Sequence, residues 1–311
     1  SQTMQADTLT SHHDYDGPYR GRNLNQIAFP IGGLGAGMFC LDGNGGIDEV
    51  SFRGQLQFFN EPRCFAALHV KGERPVSRVL EGPLPDRKYF GEPASGNGSA
   101  GRFYGLPRFG EASFQARFPF ATVDLKDESI PLKVQITGWS PFTPGDAERS
   151  SLPVGALEYT FTNPTDKHVA SVFSFNSTNF MADGGGGDSI MPIPGGFILS
   201  QDATSGQANA TAVAIFVDDK EALIDHCWFK GGWWDSITLA WENIDKGHMV
   251  ANPPAEGSSP GASLYVPFSV APGGSRTIAL KIAWYAPQTN MRIGNDPGGN
   301  AFAAGPAPGT S

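Results

Sequence analysis

A chain that breaks or makes a bond needs side chains able to hold a proton or a charge, and carboxylates are the first to weigh. Asp48, Glu49 and Glu61 all fall within eight positions of Arg53. Two carboxylates set across a bond can act as nucleophile and proton donor, whereas carboxylates beside turns more commonly stay solvated or form structural ion pairs. A second set is aromatic: Trp228, Trp233 and Trp234 stand within seven residues. Flat rings suit the apolar faces of pyranose sugars, which makes these three candidate substrate-binding residues; packing at a domain interface, where Trp is enriched, is the competing use. A third set is Asp183 and Asp188, placed around four consecutive glycines. Hard cations take oxygen ligands from flexible turns, so this pair could wrap a structural calcium ion, although the spacing follows no calcium-loop pattern and a surface loop is the plainer reading. Asn176 and Asn179 lie close enough in the chain to keep a carbohydrate role open for that loop. His12, His13 and Asp14 also resemble ligands, but they sit in a polar terminal stretch where fraying is the rule.

The elements that would position these residues are strands. Gly32, Gly33, Gly35 and Gly37 occupy four of six consecutive positions, which demands a sharp turn or a close backbone approach. A dinucleotide site would need a helix directly after such glycines. Instead Met38 to Leu41 and Ile47 to Phe52 flank Asp42-Gly43-Asn44-Gly45-Gly46, the pattern of a hairpin with a bulge or a tight turn. Cys64 to Lys71 reads as a strand in which His69 points outward or is satisfied within the sheet. Period-two alternation then recurs at Ser113 to Phe118, Ala121 to Leu125, Leu132 to Thr137, Gly155 to Thr162 and Val169 to Asn176. It resumes at Gly196 to Ser200, Thr211 to Val217, Ser236 to Glu242, Ser263 to Val270 and Arg276 to Tyr285. Connections this short between strands require antiparallel pairing. Residues 81–111 form a long loop of the kind that is often functional.

Several of these segments resemble one family in its own order. Ile27 to Gly37, Val50 to Gln55, Arg78 to Pro83, Gly138 to Phe142 and Ser151 to Val154 are similar to the N-terminal domain of glycoside hydrolase family 116, the non-lysosomal glucosylceramidases and bacterial β-glucosidases. The resemblance runs from about Tyr19 to Tyr285. It implies a retaining β-glycosidase whose catalytic Glu and Asp lie in a separate (α/α)6 helical domain, so that neither maps to a position in this chain.

The bulk properties agree. With 40% apolar residues the chain can bury a sizeable core, and 40 glycines with 25 prolines favour many turns over long helices. A net charge of -9 without any basic run argues against a nucleic-acid partner, and no apolar stretch is long enough for a membrane span. The first residues carry no leader-like pattern, consistent with either its absence or its removal. Cys40, Cys64 and Cys227 are too few and too far apart for a disulfide framework or a zinc site; buried small hydrophobes are expected, one disulfide stays open, and so does the compartment.

The expectation is therefore an all-β protein: a large antiparallel β-sandwich with long loops at residues 19–290, preceded by a flexible segment at 1–18. Residues 291–311 are rich in Gly, Pro and Ala and read as a linker or cut end leading to an absent helical catalytic domain. Its function is to pack against and support that domain in an enzyme acting on a β-glycoside, of β-glucosidase or β-xylosidase type. The alternative is a stand-alone carbohydrate-binding module with a tryptophan platform, or a structural domain without an enzyme partner.

Overall fold

The computed structural model describes residues 17–53, 62–85, 88, 103–204, 209–232 and 235–288. Strands are numbered in chain order. Nine form one sheet, in the spatial order β1 (Tyr19–Arg20), β7 (Glu111–Arg117), β8 (Phe120–Lys126), β9 (Lys133–Trp139), β10 (Val154–Thr162), β17 (Ser275–Tyr285), β14 (Thr211–Val217), β13 (Gly196–Gln201) and β12 (Asp188–Ile193). Five form a second, β15 (Leu223–Asp225), β16 (Ala262–Val270), β11 (Val169–Ser177), β5 (Cys64–Val70) and β6 (Val76–Val79). A small third sheet contains β2 (Ala28–Ile31), β3 (Met38–Asp42) and β4 (Ile47–Ser51). The named strands pair antiparallel throughout, as the short connections require. The protein is an all-β sandwich, and no helix among the described residues is long and apolar enough to cross a membrane.

Alternation decides which face is buried. In β14, Val213, Ile215 and Val217 are buried, while Ala212, Ala214 and Phe216 take the other face. The inner face of the nine-stranded sheet is covered by two partners. On one half, Tyr159 and Phe161 of β10 meet Phe173 of β11 with ring centroids 4.9 and 6.4 Å apart, and Phe161 meets Phe268 of β16 at 4.9 Å. Each such ring contributes about 1.5–3 kcal/mol by leaving water. On the other half, Ile31 of the small sheet sits in a socket made by two glycines. A Cβ at Gly138 would lie 2.5 Å from Ile31 Cδ1, and one at Gly155 would lie 2.4 Å from Ile31 Cγ2, so only glycine lets the two sheets approach this closely.

Strand β5 shows no alternation because both of its faces are covered. Cys64, Ala66, Leu68 and Val70 join the main core, whereas Phe65 and Ala67 join a second cluster with Val172, Trp228, Tyr265 and Ile237. The cover on that second face is a helix. Ser236 to Glu242 was expected as a strand; the segment is helix α2 (Ser236–Asp245), preceded in the chain by the short α1 (Ala147–Ser150). Asp235 caps α2 by accepting from Thr238 N and Thr238 Oγ1 at 3.2 and 2.9 Å. Ile237, Ala240 and Ile244 then form one buried stripe. Gly247, at φ +66, follows the helix and lets it pass against His69, whose Nδ1 lies 2.9 Å from Ser77 Oγ. Burial holds the His69 imidazole below its usual pKa, with Asp245 opposing the shift.

All three cysteines are free, which closes the disulfide alternative. Burial pushes the Cys40 thiol up to about 12, helped by Glu49, Asp48 and Asp42, and burial likewise raises Cys64.

Candidate functional site

The four-glycine stretch lies between β2 and β3, at one end of the nine-stranded sheet, and joins three distant segments there. Gly32 N donates to Ser140 Oγ at 3.0 Å and Leu34 N to Ser150 O at 2.8 Å. Trp284 Nε1 donates to Ala36 O at 2.6 Å, and Trp284 N donates to Pro153 O at 3.0 Å. The Trp284 ring stacks on Phe52 with centroids 4.6 Å apart and meets Phe39 edge-on at 6.3 Å. Gly33 passes so near Leu152 that a Cβ would meet its carbonyl oxygen at 2.2 Å, and Gly37 adopts φ +90. These glycines thus serve close backbone packing, as the hairpin reading expects, and not phosphate.

The loops fastened this way leave large apolar side chains in water. Leu34 and Tyr285 are each 60% exposed, Phe118 59%, Leu152 45% and Phe142 40%, a concentration that marks an interaction surface. The Phe118 and Phe142 rings brace each other edge-on at 5.1 Å. Beside them a depression of about 360 Å³ is lined by Gly35, Gly37, Phe52, Arg53, Trp284 and Tyr285, and the described chain leaves it at Gln288.

Arg53 ties this end to the second glycine-rich loop. Its Nε donates to Thr211 Oγ1 at 2.5 Å and its second terminal nitrogen to Met181 O at 2.7 Å. Partial burial lowers its pKa, opposed by the charge of Asp183. Asp183 Oδ1 accepts from Gly185 N at 2.8 Å, and Oδ2 accepts from Asn209 Nδ2. These bonds, the Gly185 amide foremost, hold the Asp183 carboxyl below the usual carboxylate range. Asp188 begins β12, opposite Gln201, and no group of three or more His, Cys, Asp or Glu able to hold a metal is found among the described residues. The Asp183 oxygens are thus engaged by one donor of the loop, Gly185 N, and one outside it, Asn209 Nδ2. Asn179 Nδ2 is likewise engaged with backbone, donating to Ser189 O and Ser200 O at 3.2 and 2.9 Å.

Trp228 lies in the interior at 3% exposure, its Nε1 donating to Ser263 Oγ at 2.8 Å and its ring filling the space above Gly261. It offers no face to a sugar. Trp233 and Trp234 lie outside the described residues, as do Glu61, most of the loop at 81–111 and both termini. Among the described residues an exposed ring nearby is Phe229, which lines a depression of about 550 Å³ with Lys230, Asp235, Ser236 and Ser258.

The buried carboxylates form a network that sequence spacing does not reveal. Asp42 Oδ1 accepts from Asn44 N and Gly46 N at 3.0 and 2.9 Å, closing the hairpin turn, and its Oδ2 lies 3.6 Å from Lys88 Nζ. Glu81 pairs with Arg108 at 3.3 Å, and Arg108 also donates to the carbonyls of Phe103, Tyr104 and Leu106. Charges at this depth require such partners. Burial pushes the Asp42 carboxyl up to about 7, Lys88 opposing and Asp48 and Glu81 adding to the rise. Asp48 is buried with them, Glu49 is half-buried, and neither lines the two depressions above.

No curated protein matches this chain. Among solved structures it is similar to a protein provisionally described as a kojibiose phosphorylase from human microbiome, at 7% identity and a TM-score of 0.35, covering 84% of this chain and 25% of that one. A polysaccharide lyase is similar at 11% identity and a TM-score of 0.30, covering 86% of this chain and 32% of that one. The chain thus spans between a quarter and a third of the length of these two proteins. The sequence profile described as "beta-glucosidase 2, glycosyl-hydrolase family 116 N-term" matches residues 28–304, most of the sequence and every strand from β2 onward, and the chain belongs to that N-terminal domain family.

Proposed function

We propose that this chain is the N-terminal β-sandwich of a retaining β-glycosidase of β-glucosidase or β-xylosidase type. Its role is to pack against and support a helical (α/α)6 catalytic domain that carries the nucleophile and the proton donor. The observation that carries this reading is the loop end: five large apolar side chains stand exposed at the end of the sandwich where strand β17 finishes at Tyr285. A cluster of that kind on a fold with its own core calls for a partner. The carboxylates support the same division of labour. A retaining mechanism needs two carboxyl groups facing a substrate cavity at about 5 Å from each other, whereas Asp42, Asp48 and Glu81 are sealed in the interior beside the hairpin turn.

The test is hydrolysis of chromogenic β-glucoside and β-xyloside by the 311-residue chain, beside the same assay on the natural polypeptide from which it derives. Turnover confined to the longer polypeptide is the expected result. Turnover by the isolated chain overturns the assignment and returns the search to Asp48, Glu49 and Glu61.

A further inference from the structure

The outer face of the nine-stranded sheet is divided into two zones. Strand pairing places Phe120, Trp139, Ala156, Lys281 and Phe216 side by side in one row across β8, β9, β10, β17 and β14. The adjacent row, toward the loop end, is Val154, Ala283, Ala214, Ile198 and Met191 across β10, β17, β14, β13 and β12. Apart from Lys281, whose ammonium lies over the Phe216 ring at 5.8 Å, both rows are apolar. Two rows further along, β8, β9, β10 and β17 present polar groups. Asp124 pairs with Gln135 at 2.8 Å, Thr160 with Thr277 at 2.9 Å and Thr162 with Ser275 at 3.2 Å.

An antiparallel sheet with one face on the core normally turns polar alternates to water along its whole length. Here that holds for the half remote from the loop end and, on the loop-end side, for the Ser189–Ser200 hydroxyl pair at the β12–β13 edge. Phe120, Trp139, Ile198, Phe216 and Met191 belong to neither interior cluster, and Phe120 and Met191 are 49% and 42% exposed.

We infer that this apolar half-face is a docking surface, continuous with the loop end, and that its occupant is the catalytic part of the same polypeptide. The inference rests on the family reading above and assigns the partner a second contact. The position of the chain exit favours that occupant over others. Strand β17 runs from the polar zone at Ser275 to the apolar zone at Tyr285, and the described chain ends at Gln288. Strands β8 and β12 each lie three strand spacings from β17, so the two rows together extend roughly 15 Å either way from it at about 4.8 Å per spacing. Whatever follows strand β17 therefore begins near the middle of this surface.

Thiol labelling tests the inference. Cys40 and Cys64 are buried, so a Cys227→Ser background leaves an engineered thiol as the reactive one. Ile198→Cys and Met191→Cys probe the apolar zone, and Thr160→Cys serves as the control on the polar zone of the same face. In the natural longer polypeptide the two apolar-zone thiols are expected to react with Ellman's reagent at least about tenfold more slowly than in the 311-residue chain, with the control unchanged. Equal rates in both forms at 198 and 191 overturn the inference while leaving the family reading intact. Slow, concentration-dependent labelling already in the 311-residue chain overturns it in favour of a second copy as occupant. A natural polypeptide with an intact mass of 33.0 kDa overturns both.

Discussion

The socket that joins the small sheet to the large one makes an atom-specific prediction. Ile31 is fully buried, and its Cδ1 faces Gly138 while its Cγ2 faces Gly155. Alanine at either glycine brings a methyl to within 2.4–2.5 Å of one of those atoms, about 1 Å closer than packed carbons tolerate. Overpacking of this kind costs about 1–3 kcal/mol, offset by roughly 0.4–1 kcal/mol because alanine restricts the unfolded chain. Each single variant should thus lose about 1–2 kcal/mol of unfolding free energy. Ile31→Val removes Cδ1 and keeps Cγ2, for its own loss of about 0.5–1.5 kcal/mol. In a double-mutant cycle by equilibrium urea denaturation, Ile31→Val should therefore rescue Gly138→Ala, with a coupling of about 1 kcal/mol, and leave Gly155→Ala additive. Equal coupling at the two glycines, or none at either, would falsify the socket geometry.

Two further measurements address the buried polar groups. Asp42 holds its proton more tightly folded than unfolded, so the stability it contributes is complete below about pH 4 and is lost as the pH rises through about 7. Asp42→Asn keeps an oxygen for Asn44 N and Gly46 N, and should flatten the stability profile between those limits; a profile unchanged in slope refutes the assignment. Ser263→Ala leaves Trp228 Nε1 and Asn176 Oδ1 without their partner inside the protein, which predicts a loss of about 2 kcal/mol or more in denaturant titration; a loss below about 0.5 kcal/mol means water or relaxation replaces the hydroxyl.

Most strands were legible because one-sided burial writes a period of two into the chain. Thr211 to Val217 and Gly155 to Thr162 were read to within a residue of their observed bounds. Helix α2 was missed because Ile237, Leu239 and Trp241 also alternate, and over a few residues a helix stripe mimics a strand. Asp235 at its start and Gly247 after its end were the available signals. The glycine cluster was legible as a demand for close packing, but the partner it packs against was not: Leu152 and Trp284 are more than a hundred residues away in sequence. The same limit hid the apolar loop end, where Leu34, Phe118, Phe142, Leu152 and Tyr285 come to the same end of the sheet only through tertiary folding. Sequence drew attention to Trp228 instead, although large aromatic residues enter interiors as readily as surfaces. The Asp42–Lys88 and Glu81–Arg108 pairs were invisible because no local pattern marks a charge whose partner lies on another segment.

The polar network on the far side of β11 also governs how the chain can be made. Asn176-Ser177-Thr178 and Asn209-Ala210-Thr211 both satisfy the acceptor rule for N-linked glycans. Yet Asn176 is wholly buried, its amide nitrogen donating to Ser174 Oγ and Phe65 O, and Asn209 is 8% exposed with its amide nitrogen committed to Asp183 and Thr204. A glycan can reach either nitrogen only before the strands close, and once attached at Asn176 it would displace the buried Ser263 and Trp228 that hydrogen-bond in series beside it. In a host that glycosylates nascent chains, modification and folding therefore compete for the same two side chains, and the modified fraction is diverted from the native state.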